Sequence, residues 1–167
     1  MRIASLIESK WDIKSFADSR FAEHSPTFSP DNRWLAYVSD ETGVEQVYVQ
    51  TFPGKGGKTM VSINAGTEPM FSASGKELFY RDGNTLMVRA VNTSGEIFSV
   101  LNPPQRLFEV QSWYSHALGS YGHNYAVSSD GQRFLIVQSV ENSSVDALNI
   151  VINWFEELKE RVPVHVQ

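Results

Sequence analysis

Apolar positions in this chain come in short, nearly continuous runs separated by clusters of Gly, Asp, Asn, Ser and Pro. The runs at 33–38, 44–52 and 58–63, with 25–29 leading in, predict four short strands joined by hairpins. The plan returns at 68–71, 77–80, 85–91 and 106–110, where Arg81-Asp-Gly-Asn84 supplies hairpin turn chemistry. It returns once more at 124–127, 133–138 and 148–152. Runs that lose the in–out alternation predict strands covered on both faces, as in sheets stacked between neighbours.

Three stretches share one motif: Phe28-Ser-Pro-Asp31-Asn-Arg-Trp-Leu-Ala-Tyr-Val38, Phe71-Ser-Ala-Ser74-Gly75-Lys-Glu-Leu-Phe-Tyr80 and Val127-Ser-Ser-Asp130-Gly131-Gln-Arg-Phe-Leu-Ile-Val137. Each is an apolar residue, a serine, a tight polar turn and an apolar strand. Phe28 and Phe71 are 43 residues apart, and Phe71 and Val127 are 56 apart. A self-similar unit of about 40–50 residues built of strands marks a propeller blade. The expected fold is all-β, a single partial β-propeller domain over 1–167 with about three four-stranded blades, half of a six-bladed ring. Blades are expected at about 21–66, 67–110 and 123–152. Asn153 as N-cap, Glu156 as its capping-box partner and Pro163 as terminator predict a short helix over 153–161, displacing the last strand of the third blade. The stretch 11–16 is either that displaced strand or the tail of a preceding blade.

The motif also assigns roles. Asp31 and Asp130 recur at one repeat position beside Asn32 and Gly131, with Gly75 at the same place in the middle copy. An active site needs to occur once, so recurrence predicts turns: the carboxylate accepts backbone amides, and Asn or Gly takes the left-handed conformation. The expected core is Trp34, Ala36, Tyr37, Val47, Val49, Leu78, Phe79, Phe134, Leu135 and Ile136.

Composition narrows the function classes. The 167 residues carry 19 acidic and 14 basic side chains with no basic block, which argues against a nucleic-acid footprint. Zero cysteines exclude disulfides, thiolate metal sites and cysteine nucleophiles. The apolar stretch at the N-terminus stops at Glu8, too short for a secretory leader, and no run is long enough to cross a bilayer. As written the chain reads as cytoplasmic and without membrane insertion; as a piece of a larger sensor it would fit outside the cytoplasm.

The repeat motif resembles the Pro-Asp repeat of TolB-like propellers, whose usual form is an aromatic, Ser-Pro-Asp-Gly-Arg/Lys and an apolar strand. Asn32 stands for the glycine, Ser74 for the aspartate of the second copy and Val127 for the aromatic of the third. Tyr37-Val-Ser-Asp-Glu-Thr-Gly43, Val47-Tyr-Val-Gln-Thr-Phe-Pro53, Glu68-Pro69 and Asn153-Trp154 are similar to the C-terminal propellers of bacterial serine/threonine kinases and related sensor proteins. The resemblance covers about 21–158 and implies a non-catalytic binding module. Kinase activity does not carry over, because the Gly-rich loop, His-Arg-Asp and Asp-Phe-Gly are missing from the chain.

Few residues suggest chemistry. Gly54-Lys-Gly-Gly-Lys58-Thr59 falls short of a phosphate-binding loop, with Phe52 where the first glycine belongs and strand-like residues where a helix must follow. The histidines at 24, 116, 123 and 165 lack metal-ligand spacing, and no Gly-x-Ser-x-Gly elbow occurs. No cofactor or metal is expected. The aromatic connection at 111–122 is the candidate binding loop, through Trp113, Tyr114, His116 and Tyr121, since loops carry function and Trp and Tyr supply contact area. Three blades leave two faces bare, so the expected partner is a second copy completing six blades, beside an unknown protein or small molecule. The alternative reading is an accessory propeller of a hydrolase-like or kinase-linked sensor protein.

Overall fold

The apolar runs become β-strands, and every regular element among the described residues is one. The computed structural model describes residues 1–16, 19–54, 56–111, 113 and 122–138. The chain opens with a hairpin of β1 (Arg2–Ile7) and β2 (Lys10–Ser15), turned at Glu8 and Ser9. Sheet 1 is an antiparallel meander of β3 (Glu23–Phe28), β4 (Trp34–Ser39), β5 (Gln46–Thr51) and β6 (Lys58–Met60). Sheet 2 follows with β7 (Thr67–Phe71), β8 (Glu77–Asp82) and β9 (Thr85–Asn92). Its outer edge is shared by β10 (Ser99–Val100) and β11 (Gln105–Glu109), which pair with successive parts of β9. Sheet 3 is the pair β12 (Tyr125–Val127) and β13 (Phe134–Ile136).

The fold is therefore all-β, with two meanders of the kind that form propeller blades stacked face to face and a third sheet begun on the same plan. The strand expected over 148–152 and the helix expected over 153–161 lie outside the described residues. The hairpin is a feature that the apolar pattern misses in part. The stretch 11–16 is the second strand of a hairpin whose first strand, β1, mixes Arg and Ser with apolar residues and shows no dominant face.

Repeat-equivalent positions divide the sheet faces. Trp34, Ala36, Val38, Val47, Val49 and Val61 of sheet 1 pack against Phe71, Leu78, Tyr80, Val91 and Phe98 of the sheet 2 unit. Phe79, Leu86 and Val88, on the other face of sheet 2, gather Val110, Trp113 and Tyr125, and Phe134 and Ile136 of sheet 3 pack onto them. Ala36, Phe79 and Leu135 thus hold one repeat position, which faces the following sheet in the first two copies.

That register corrects one core expectation. Phe134 and Ile136 are half-buried against sheet 2, but alternation along the strand turns Leu135 to the opposite face, where it is 48% exposed. Polar clamps hold the stack in register. The Trp34 indole donates to the Thr93 carbonyl at 2.9 Å, and Arg33 reaches the Gly95 carbonyl at 2.8 Å. Arg89 of β9 donates to the Val61 carbonyl at 2.6 Å, crossing from sheet 2 to the end of the sheet 1 unit.

Candidate functional site

One turn is built three times from the same atoms. Ser29, Ser72 and Ser128 each donate their backbone N–H to the carbonyl five residues on, of Trp34, Glu77 and Arg133, at 2.9, 3.0 and 2.9 Å. Their hydroxyl oxygens accept the amides of those same residues at 3.0, 3.2 and 3.0 Å. Asn32, Gly75 and Gly131 occupy the left-handed corner at φ 58°, 69° and 71°, donating to the serine carbonyls. The Asp31 carboxylate accepts from the Ser29 hydroxyl at 2.6 Å and from the Arg33 amide at 3.1 Å. Asp130 does the same with Ser128 and with the Gln132 amide at 3.0 Å. Burial works against ionisation of Asp31, but the Ser29 hydroxyl and the Arg33 amide hold its carboxyl below the usual value. At Asp130 the Ser128 hydroxyl is the main cause of a similar lowering.

A second constellation joins sheet 2 to sheet 3. Ser25, Glu68 and Asn124 are repeat equivalents, and Ser25 and Glu68 share φ near +50° (50° and 54°) at the bulges in β3 and β7. A left-handed residue without glycine costs about 1–2 kcal/mol. At Glu68 that strained backbone aims a buried carboxylate across the sheet interface. It accepts from Arg81 at 2.8 Å, from the Asn124 amide at 2.9 Å and from the Asn124 side chain at 2.9 Å. The Tyr125 hydroxyl donates to the Glu68 carbonyl at 2.7 Å. Burial, with the charge of Glu68 adding to it, raises the Tyr125 hydroxyl well above the usual phenol range. Sequence reading did not single this junction out, although Ser25-Pro26 and Glu68-Pro69, 43 residues apart, mark it.

The aromatic loop is pinned at both ends. Trp113, a candidate binding residue, is buried at 7% exposure, stacked on the Arg81 guanidinium at 4.6 Å, with its indole donating to the Asn84 carbonyl at 3.1 Å. His123 bonds the Pro69 carbonyl through Nε2 at 2.8 Å. Tyr114, His116 and Tyr121 lie outside the described residues. Elsewhere, His24 meets Glu45 at 2.9 Å, and the glycine-rich stretch after β5 leads straight into β6, where Lys58 pairs with Glu41. Among the described residues no three His, Asp or Glu side chains stand close enough to hold a metal ion. Among the described residues there is no helix long and apolar enough to cross a membrane.

A groove of about 390 Å³ separates the N-terminal hairpin from sheet 1. Ile3, Ser5, Asp12 and Lys14 line one side, and Phe16, Phe52 and Pro53 the other. Asp12 and Lys14 pair with each other at 2.7 Å along its wall.

No family model matches the chain, and no curated protein does. Among solved structures it is similar to TolB from Acinetobacter baumannii, at 19% identity and a TM-score of 0.39 over 79% of this chain. The chain spans 41% of the length of that TolB.

Proposed function

We propose that the chain is a non-catalytic β-propeller module that binds protein or small ligands and completes its ring with a second copy. The observation that carries this reading is the open face at the end of the stack. Leu135 and Val137 are 48% and 40% exposed, at repeat positions that face the next sheet in the preceding copies. Apolar faces of this kind mark interfaces, and two copies of three sheets complete six.

The carboxylates that draw attention in the sequence are occupied structurally. Asp31 and Asp130 close turns, and Glu68 bonds Arg81 and Asn124, which supports a binding role over catalysis. Tyr114, His116 and Tyr121 are the proposed ligand contacts, on a loop whose ends are fixed by Trp113 and His123. Sedimentation or light scattering at micromolar concentration tests the assembly. The expected mass is twice the 18.8 kDa chain, and a monomer throughout overturns the reading. Alanine at Tyr114, His116 and Tyr121 together should leave that mass unchanged.

A further inference from the structure

We infer that the N-terminal hairpin is a docking element whose occupant is sheet 3 of a second copy. The inference rests on the ring-completing reading above and names its contact surfaces. In β1–β2, Ala4 stands opposite Ile13 and Leu6 opposite Trp11, so these four side chains share one face. Leu6, Trp11 and Ile13 are 61%, 69% and 61% exposed. The other face turns to the groove beside sheet 1, and Phe16, just past β2, is buried with its ring 5.9 Å from that of Phe52. The groove-side face is mixed, with Ser5, Asp12 and Lys14 beside Ile3 and Ile7, whereas the outer face offers solvent a cluster of apolar side chains at Ala4, Leu6, Trp11 and Ile13. A two-stranded hairpin is marginal in water by itself, and such a surface on it is the mark of an interface.

The contacts already made within the chain indicate what fits there. The forward face of sheet 1 meets sheet 2, and the forward face of sheet 2 meets sheet 3, through the same repeat positions. Leu135 and Val137 are the next members of that series, and among the described residues no sheet follows them. Each chain therefore carries two different exposed apolar faces, one on the hairpin that precedes sheet 1 and one on sheet 3. Two copies about a twofold axis bring each hairpin to the other's sheet 3, so the exposed apolar faces of both copies are covered where the two half-rings meet. A hairpin-on-hairpin contact would leave Leu135 and Val137 bare in both copies.

The chain has no cysteine, so an introduced thiol reports one contact alone. Copies carrying Ile13→Cys are mixed with copies carrying Leu135→Cys and oxidised. The expected result is a disulfide-linked pair in the mixture and none from either variant alone. Linkage of Ile13→Cys to itself overturns the inference in favour of a hairpin-on-hairpin contact. A dimer by light scattering that links in neither case also overturns it while leaving the ring-completing reading standing; a monomer overturns both. As a second arm, the double variant Leu6→Ser, Trp11→Ser alters only the outer face. It should keep the strand signal in circular dichroism and weaken dimerisation about 100-fold, the scale of an interface aromatic at a central position. Unchanged dimerisation of that folded variant overturns the assignment.

Discussion

A single serine per repeat, with its amide and hydroxyl oxygen both engaged, ties the start of each second strand to the end of the first. In the first copy Ser29 is buried, so removing its hydroxyl leaves the Trp34 amide without a partner and without water. Ser29→Ala should cost about 1–3 kcal/mol in urea unfolding. Ser128→Ala, at a more open turn, should cost less, because water replaces the lost oxygen. The carboxylates give these turns a pH dependence of definite sign. The folded state lowers the Asp31 carboxyl below its ordinary value, so its stabilisation is complete above about pH 4 and fades as pH falls through the folded value. The stability difference between the protein and Asp31→Asn should be largest at neutral pH and shrink on acidification, as followed by urea midpoints across pH. Glu68 is a different case, buried and charged with Arg81 and Asn124 arranged on it. Glu68→Ala strands the guanidinium and should cost about 3–5 kcal/mol.

At the scale of elements, strands covered on both faces were the most legible. Sheet 1's β4 and sheet 2's β8 consist of apolar runs between polar turns, and both runs lie buried as expected, Phe79 at 2% exposure among them. Phe79→Ala should accordingly cost about 3–5 kcal/mol in equilibrium unfolding. Legibility failed where one face alone is covered. Leu135 sits in a run as apolar as that of β8, but such a run does not reveal which face lacks a neighbour. Nothing in an aromatic connection shows which rings pack inward, and Trp113 does: Arg81 covers its ring and Asn84 satisfies its indole hydrogen. Glu68 is legible only as part of the repeat, because a lone acidic residue gives no periodic signal and its role lies in a bulge and in a partner 56 residues away. The hairpin β1–β2 was half-read for a related reason, its four outward apolar residues being split between two strands. Its exposure on both faces has a dynamic consequence: hairpin amides should exchange with solvent faster than those of β4 and β8 in dilute protein, and slow down as concentration rises.

For the whole molecule, the proposed pairing makes stability a function of concentration. If two copies share both end contacts, the folded state is a dimer and the unfolded state two chains, so mass action favours folding as protein is added. A tenfold increase in concentration then contributes about 1.4 kcal/mol, and melting temperatures should climb by about 2–4 °C per decade. An isolated stack of three sheets would melt at a fixed temperature, since nothing in its unfolding depends on a second chain. The hairpin discriminates further. Leu6→Ser with Trp11→Ser touches neither the sheet 1–sheet 2 cluster nor the Glu68 junction, so sheets 1 and 2 should keep their own stability in that variant. Scanning calorimetry from about 5 to 500 µM should show a rising melting temperature for the protein and a lower one at each concentration for the double variant. A flat line for both would show that the apolar ends of the stack are not joined to another copy, whatever their exposure.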